Sequence, residues 1–198
     1  MLQGGVAVEV DQEQALFDAA ERGDVAAVSA LLNAGVNVDA EHRLFRWNAL
    51  YVAAQNGYTA VVNVLLERNA NMAATTNEGS SALHIAASNG HTETVNALLA
   101  RNANVEEVDG YGSTALHVAA ENGHTETVNA LLHCNANVAA ITDDGWTALH
   151  IAAQYGHTEI VNALLERNAN VAATDNKGMT ALHFAAKHGR TEIGRAHV

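Results

Sequence analysis

The sequence predicts an all-α solenoid, a row of stacked pairs of short helices. Three observations predict it. Gly57, Gly90, Gly123, Gly156 and Gly189 recur every 33 residues, and His91, His124 and His157, each followed by Thr-Glu, share the period. Residues 82–114 and 115–147 align with 22 identities over 33 positions, far above chance, and a period of this length marks a stacked array. Each unit also holds two helical patterns of about eight to ten residues, marginal alone and stabilised when pairs stack on neighbours.

The elements follow in order. Residues 1–14 form a leader, and 15–48 form a first unit of 34 residues. Units of 33 residues follow at 49–81, 82–114, 115–147 and 148–180, then a partial unit at 181–191. The extra residue of the first unit falls within Glu41–Asn48. The first helix of a unit opens after Asn48, Ser81, Thr114, Thr147 or Thr180, all N-cap residue types, runs as A-L-H-x-A-A, and stops at a glycine able to turn left-handed. Pairs such as Ala86-Ala87 and Ala119-Ala120 are small enough to let neighbouring helices approach closely. The second helix opens at Thr92, Thr125 or Thr158, with Glu93, Glu126 or Glu159 at the positive end of its dipole. Val95, Leu98 and Leu99 supply its apolar stripe. It ends at Asn69, Asn102, Asn135 or Asn168, where the first unit has Gly35; a slot shared by Gly and Asn predicts a left-handed cap. A turn-rich segment such as Thr142-Asp143-Asp144-Gly145 closes the unit.

Composition narrows the function. One cysteine among 198 residues excludes an internal disulfide. Cys134 replaces Arg68, Arg101 and Arg167 of other units, so it is expected as an exposed free thiol in a reducing compartment. A net charge of -12 disfavours nucleic acids and anionic membranes. No apolar run reaches membrane-helix length, and Met1–Val10 has neither the charge nor the apolar run of a secretory signal.

The T-A-L-H-x-A-A and G-H-T-E-x-V-x-x-L-L strings, repeated at 33 residues, resemble the ankyrin repeat family over roughly residues 15–191. One departure is systematic: Ala49, Ala82, Ala115, Ala148 and Ala181 stand where the family has Pro. Proline is favourable but dispensable at the first helical turn. The resemblance implies a curved array of antiparallel helix pairs with β-turn fingers on one side. It also implies a non-catalytic, monomeric, intracellular and cytoplasmic module that binds proteins without a cofactor. An alternative is a regulatory segment of a longer protein carrying an enzyme, channel or ligase portion, or a microbial effector acting in the host cytosol. The family also makes Asn71, Asn104, Asn137 and Asn170 candidate sites of hydroxylation.

Catalytic and metal readings are weak. His84, His117, His150 and His183 recur in one slot and His91, His124 and His157 in another. Stacked equivalents should lie about 8–10 Å apart, whereas ligands of one zinc lie within roughly 4 Å of each other. These histidines are therefore expected to bond backbone or Thr groups within their own repeat. Gly110-Tyr111-Gly112-Ser113-Thr114-Ala115 mimics a dinucleotide-binding loop but falls on a repeat turn, without the strand such a loop needs. No nucleophile elbow, zinc-protease motif, Walker loop or C-x-x-C is present, so no enzyme activity is expected.

Function is expected where the copies differ. In the family, finger tips and the exposed end of the first helix line the binding face. Five of the nine aromatic residues fall in those variable slots: Phe45, Trp47, Tyr111, Trp146 and Tyr155. Clustered exposed aromatics have the character of a binding hot spot. In the other reading, Phe45 and Trp47 fold back onto their irregular finger. Glu78, Glu121, Asp143 and Asp144 make the middle of the face acidic, and Met179 adds an apolar slot. These ten residues form the expected partner-binding set, and the expected partner is a protein with a basic patch flanked by apolar anchors.

After Ile193 the template requires V-N-A-L-L, but the chain reads Gly194-Arg195-Ala196-His197-Val198. The string EIGRAHV is what the adapter-like codons GAG-ATC-GGA-AGA-GCA-CAC-GTC encode. Residues 192–198 are thus expected to be a non-native or truncated tail, with poor packing over 194–198 and further repeats in the natural protein.

Overall fold

A computed structural model describes residues 4–195, and the described residues form twelve helices with no strand beyond an isolated bridge between Thr75 and Ser81. The first helices of the units are α1 (Gly4–Glu21), α3 (Ala49–Gln55), α5 (Ala82–Ser88), α7 (Ala115–Glu121), α9 (Ala148–Tyr155) and α11 (Ala181–Lys187). The second helices are α2 (Val25–Asn33), α4 (Thr59–Glu67), α6 (Thr92–Ala100), α8 (Thr125–His133), α10 (Thr158–Glu166) and α12 (Thr191–Arg195). Helix α1 begins well before residue 15, so the leader continues into the first unit as helix. Three-residue connections such as Asn56-Gly57-Tyr58 make each pair antiparallel neighbours. The first helices pack in one row and the second helices in another, each against its predecessor and successor.

Helix starts follow the expected caps. Thr147 is extended, its Oγ1 accepts the His150 N–H at 3.4 Å, and His150 Nδ1 accepts the Thr147 N–H at 3.1 Å. This is a reciprocal capping box with histidine in the acceptor place. Ser81 with His84, Thr114 with His117, and Thr180 with His183 repeat it. Helix ends follow too. Asn69, Asn102, Asn135 and Asn168 have φ of 59–64°, and the next amide bonds back to a leucine carbonyl, as Ala103 N–H does to Leu98 at 3.1 Å.

The core lies between the two rows. Leu50, Leu65, Leu98, Leu116, Leu131, Ile160 and Leu164 are fully buried, as are the paired alanines from Ala53-Ala54 to Ala152-Ala153. Thr94 and Thr127 are also buried and bond Thr59 and Thr92 of the preceding unit, Oγ1 to Oγ1, at 2.8 Å.

One histidine slot bonds within its own unit, as the sequence predicts, and the other joins units, which corrects the expectation for that slot. His84, His117 and His150 bond the Ser or Thr cap of their own helix through Nδ1, and Nε2 reaches the finger that closes the same unit. His84 Nε2 donates to Ser113 O at 3.0 Å, His117 to Ala140 and Trp146 at 3.1 Å, and His150 to Ala173 and Met179 at 3.0 and 3.2 Å. His91, His124 and His157 donate from Nε2 to Gln55, Ser88 and Glu121 carbonyls of the preceding unit at 2.9–3.0 Å. The physical reason is reach: the His91, His124 and His157 rings project across the gap between stacked turns, where carbonyls left over from helix ends need donors.

Fingers stack tip to tip. Gly110 N–H donates to Glu78 O at 2.8 Å, Asp143 N–H to Tyr111 O at 3.0 Å, and Asn176 N–H to Asp144 O at 3.1 Å. In later fingers the closing bond spans four residues, as from Asp109 N–H to Ser113 O; in the first it spans five, from His42 N–H to Trp47 O at 2.7 Å. The extra residue therefore widens the first finger's tip. Arg46 there is left-handed (φ 58°), where later fingers have glycine, and its guanidinium pairs with Glu41 at 3.1 Å. Gly145 shows why glycine is otherwise used. Its φ is +79°, and a Cβ would lie 2.9 Å from the Asn176 backbone nitrogen. Gly145→Ala is expected to destabilise the protein by about 2 kcal/mol, read as a lowered urea midpoint.

Ile193 is buried and α12 continues to Arg195. The packing expected to fail over residues 194–198 lies outside the described residues.

Candidate functional site

The variable residues gather in two places along the finger side. The central one is a shallow groove of about 170 Å³ between the third and fourth fingers. Tyr111 and Asp144 come from the fingers, Trp146 from a finger base, and Glu121 and Tyr155 from the ends of α7 and α9; Ile151 forms part of its lining. Five of the ten expected residues thus meet in one groove. Tyr111 is 64% exposed and Tyr155 41%. The Tyr155 hydroxyl donates to Glu121 at 3.2 Å, and its ring stacks on His157 at 6.1 Å.

Trp146 differs from its expected exposure. It is half-buried, with its ring 4.6 Å from Phe184, because the partial unit at 181–191 carries Phe184 at a position filled by smaller residues in earlier units. Burial pushes the Asp175 carboxyl up, but the Met179 and Lys177 amides and Trp146 outweigh that, so its pKa lies below the usual value. Met179 is half-buried at the base of its finger. Glu78 and Asp143 are exposed finger residues outside the groove lining.

The second place is the first finger. Phe45 is 50% exposed and Leu44 71%, while Trp47 is half-buried. Trp47 does fold back: its ring lies 4.9 Å from Phe45, 5.3 Å from His42 and 6.3 Å from Tyr51. Beside this cluster opens a cavity of about 430 Å³ between α1, the first finger and the ends of α3 and α5. Phe17, His42 and Trp47 form its aromatic walls, and Asp18 and Glu21 stand on the α1 side. A hollow of about 290 Å³, lined in part by Glu13, Glu41 and Arg43, continues from it. The sequence did not point to Phe17, Asp18, Glu21 or His42. Glu21 was accessible to it, since it occupies the slot that Gln55 fills one unit later; the others required the widened finger.

Irregularity has a local cost here. Among the described residues, Trp47 Nε1 and Asn48 Nδ2 are buried without a hydrogen-bond partner. Asn48 caps α3 through its oxygen, to the Tyr51 amide at 2.9 Å. Tyr51 replaces the capping-box histidine, and burial, opposed by Ser80 and helped slightly by the charge of Glu78, leaves its hydroxyl above its ordinary pKa.

No group of three or more His, Cys, Asp or Glu side chains among the described residues is arranged to hold a metal ion. None of the described helices is long and apolar enough to cross a membrane. The family model for ankyrin repeats matches the chain in three overlapping copies, over residues 2–76, 69–142 and 135–196. No curated protein matches the chain.

Proposed function

This chain belongs to the ankyrin repeat family, and we propose that it is a non-catalytic scaffold or adaptor that holds a protein partner on its finger and first-helix face. Ankyrin repeats are in general protein-interaction modules, and the family is typically non-catalytic. The observation that carries the reading is the central groove, where Tyr111 and Tyr155 remain exposed beside Glu121 and Asp144. Exposed aromatics have no packing reason to be there, since other units place Glu78, Asp144 and Lys177 at the finger position of Tyr111. The carboxylates and the net charge of -12 favour a partner with a basic patch. The exposed free thiol of Cys134 fits a reducing compartment inside a cell.

Trp146→Ala would disturb the Phe184 contact as well as any partner. Tyr111→Ala and Tyr155→Ala are the cleaner test, because both rings are exposed. Each is expected to weaken partner binding by about 1–2 kcal/mol while leaving the circular dichroism melt unchanged. A partner retained undiminished by the double variant would overturn the assignment of this face.

A further inference from the structure

We infer that the cavity beside the first finger is a receptor for an arginine side chain of a protein partner. The inference rests on the proposed partner-binding role and names a second anchor for it. Three features point to this occupant. The walls are aromatic: Phe17 and His42 meet edge to face at 6.1 Å, and His42 and Trp47 at 5.3 Å. Aromatic surface suits the apolar stem and the delocalised face of a guanidinium. One side is acidic, with Asp18 and Glu21 among the lining residues and no cation among them. Neither carboxylate has a cationic partner among the described residues, where the one ion pair is Arg46 with Glu41. The far rim carries spare acceptors: Asn56 and Asn89 donate their amide N–H groups to Val52 and Gln55 carbonyls at 2.9 and 3.2 Å, and their side-chain oxygens have no partner among the described residues.

Arginine fits this set better than lysine. Its five N–H donors lie in one plane and can serve carboxylates on one side and amide oxygens on the other while the plane stacks on a ring. An ammonium offers three donors and no stacking face. The cavity, at about 430 Å³, admits the side chain with part of its backbone. Its place at one end of the finger face leaves the central groove free for the same partner.

The test uses the full chain and a probe that needs no partner, N-acetyl-arginine methylamide, followed by the two tryptophan indole N–H signals assigned with Trp47→Phe. The expected result is a saturable millimolar shift of the Trp47 signal with Trp146 unmoved. The neutral citrulline analogue should give no shift, and the lysine analogue should bind at least about threefold more weakly. Asp18→Asn/Glu21→Gln should weaken the arginine probe at least about fivefold. Glu21→Gln alone, at an exposed position, keeps the test valid if the double variant is destabilised. Equal shifts from citrulline, an undiminished response in the charge variants, or no shift at all would overturn the inference. Those outcomes leave the wider reading intact if Tyr111 and Tyr155 still govern partner capture; arginine binding without such dependence would overturn the central groove alone.

Discussion

Replacing His117 with leucine is expected to lower the unfolding free energy by about 3 kcal/mol. The change keeps an apolar side chain in a site that is 1% exposed. What it removes is polar. The Thr114 N–H loses its acceptor at the start of α7, and the Ala140 and Trp146 carbonyls lose the Nε2 donor. Each unsatisfied buried group costs roughly 1–3 kcal/mol, and the two carbonyls lie on the finger of the same unit, so the hold of that finger on α7 weakens as well. His133→Leu is the control: that ring is exposed and bonds only the Asn129 carbonyl of its own helix, so its effect should stay within about 0.5 kcal/mol. Urea denaturation followed by circular dichroism measures both. A His117→Leu change no larger than the control would show that the bonds from α7 to its cap and finger carry no net stability.

The same ring makes the array acid-sensitive. Burial lowers the pKa of His117 and of His150 below 6.5, and the carbonyl bonds from Nε2 offset this only in part. The geometry agrees. A backbone N–H donates to Nδ1 in each, so Nδ1 is an acceptor and a second proton there would face a donor. Because these folded-state values lie below the unfolded ones, the unfolded chain binds protons first as pH falls. Stability is therefore intact above about pH 6.5 and is lost progressively below it. Each histidine can contribute a slope of at most about 1.4 kcal/mol per pH unit. Asp175 also has a lowered pKa, but its stabilisation is lost only as pH falls below the ordinary carboxylate range, so the interval from pH 7.5 to 5.5 isolates the histidines. The urea midpoint should fall over that interval, and His117→Leu should flatten the fall. A midpoint that does not change from pH 7.5 to 5.5 would contradict the mechanism.

Much of this architecture was legible because the repeat restates its own rules. One unit with Ser or Thr before Ala-Leu-His suggests a cap; four copies, at Ser81, Thr114, Thr147 and Thr180, establish its register. Asn at a slot where Gly35 also stands pointed to a left-handed residue, and the φ values agree. The site was less legible. Variation among copies singled out Tyr111 and Tyr155, both exposed, but it also singled out Trp146, which is half-buried against Phe184. The two positions are 38 residues apart, and nothing in a single unit announces a contact that exists only across a unit boundary. The cavity at the first finger was hidden too, here by separation within the first unit. Phe17 sits in a first-helix slot and His42 in a widened turn, and their rings meet only once α1 and the finger are packed.

By itself the sequence determined the period, the helix boundaries, the caps and the family, because these depend on backbone preferences expressed within about ten residues and copied from unit to unit. Tertiary structure alone decided which variable side chains face solvent and that His91, His124 and His157 bridge units. It also decided where a cavity opens. Those outcomes depend on the distance between units and on which side chain fills the gap, and such contacts are formed by residues that the chain keeps some 36 to 38 positions apart.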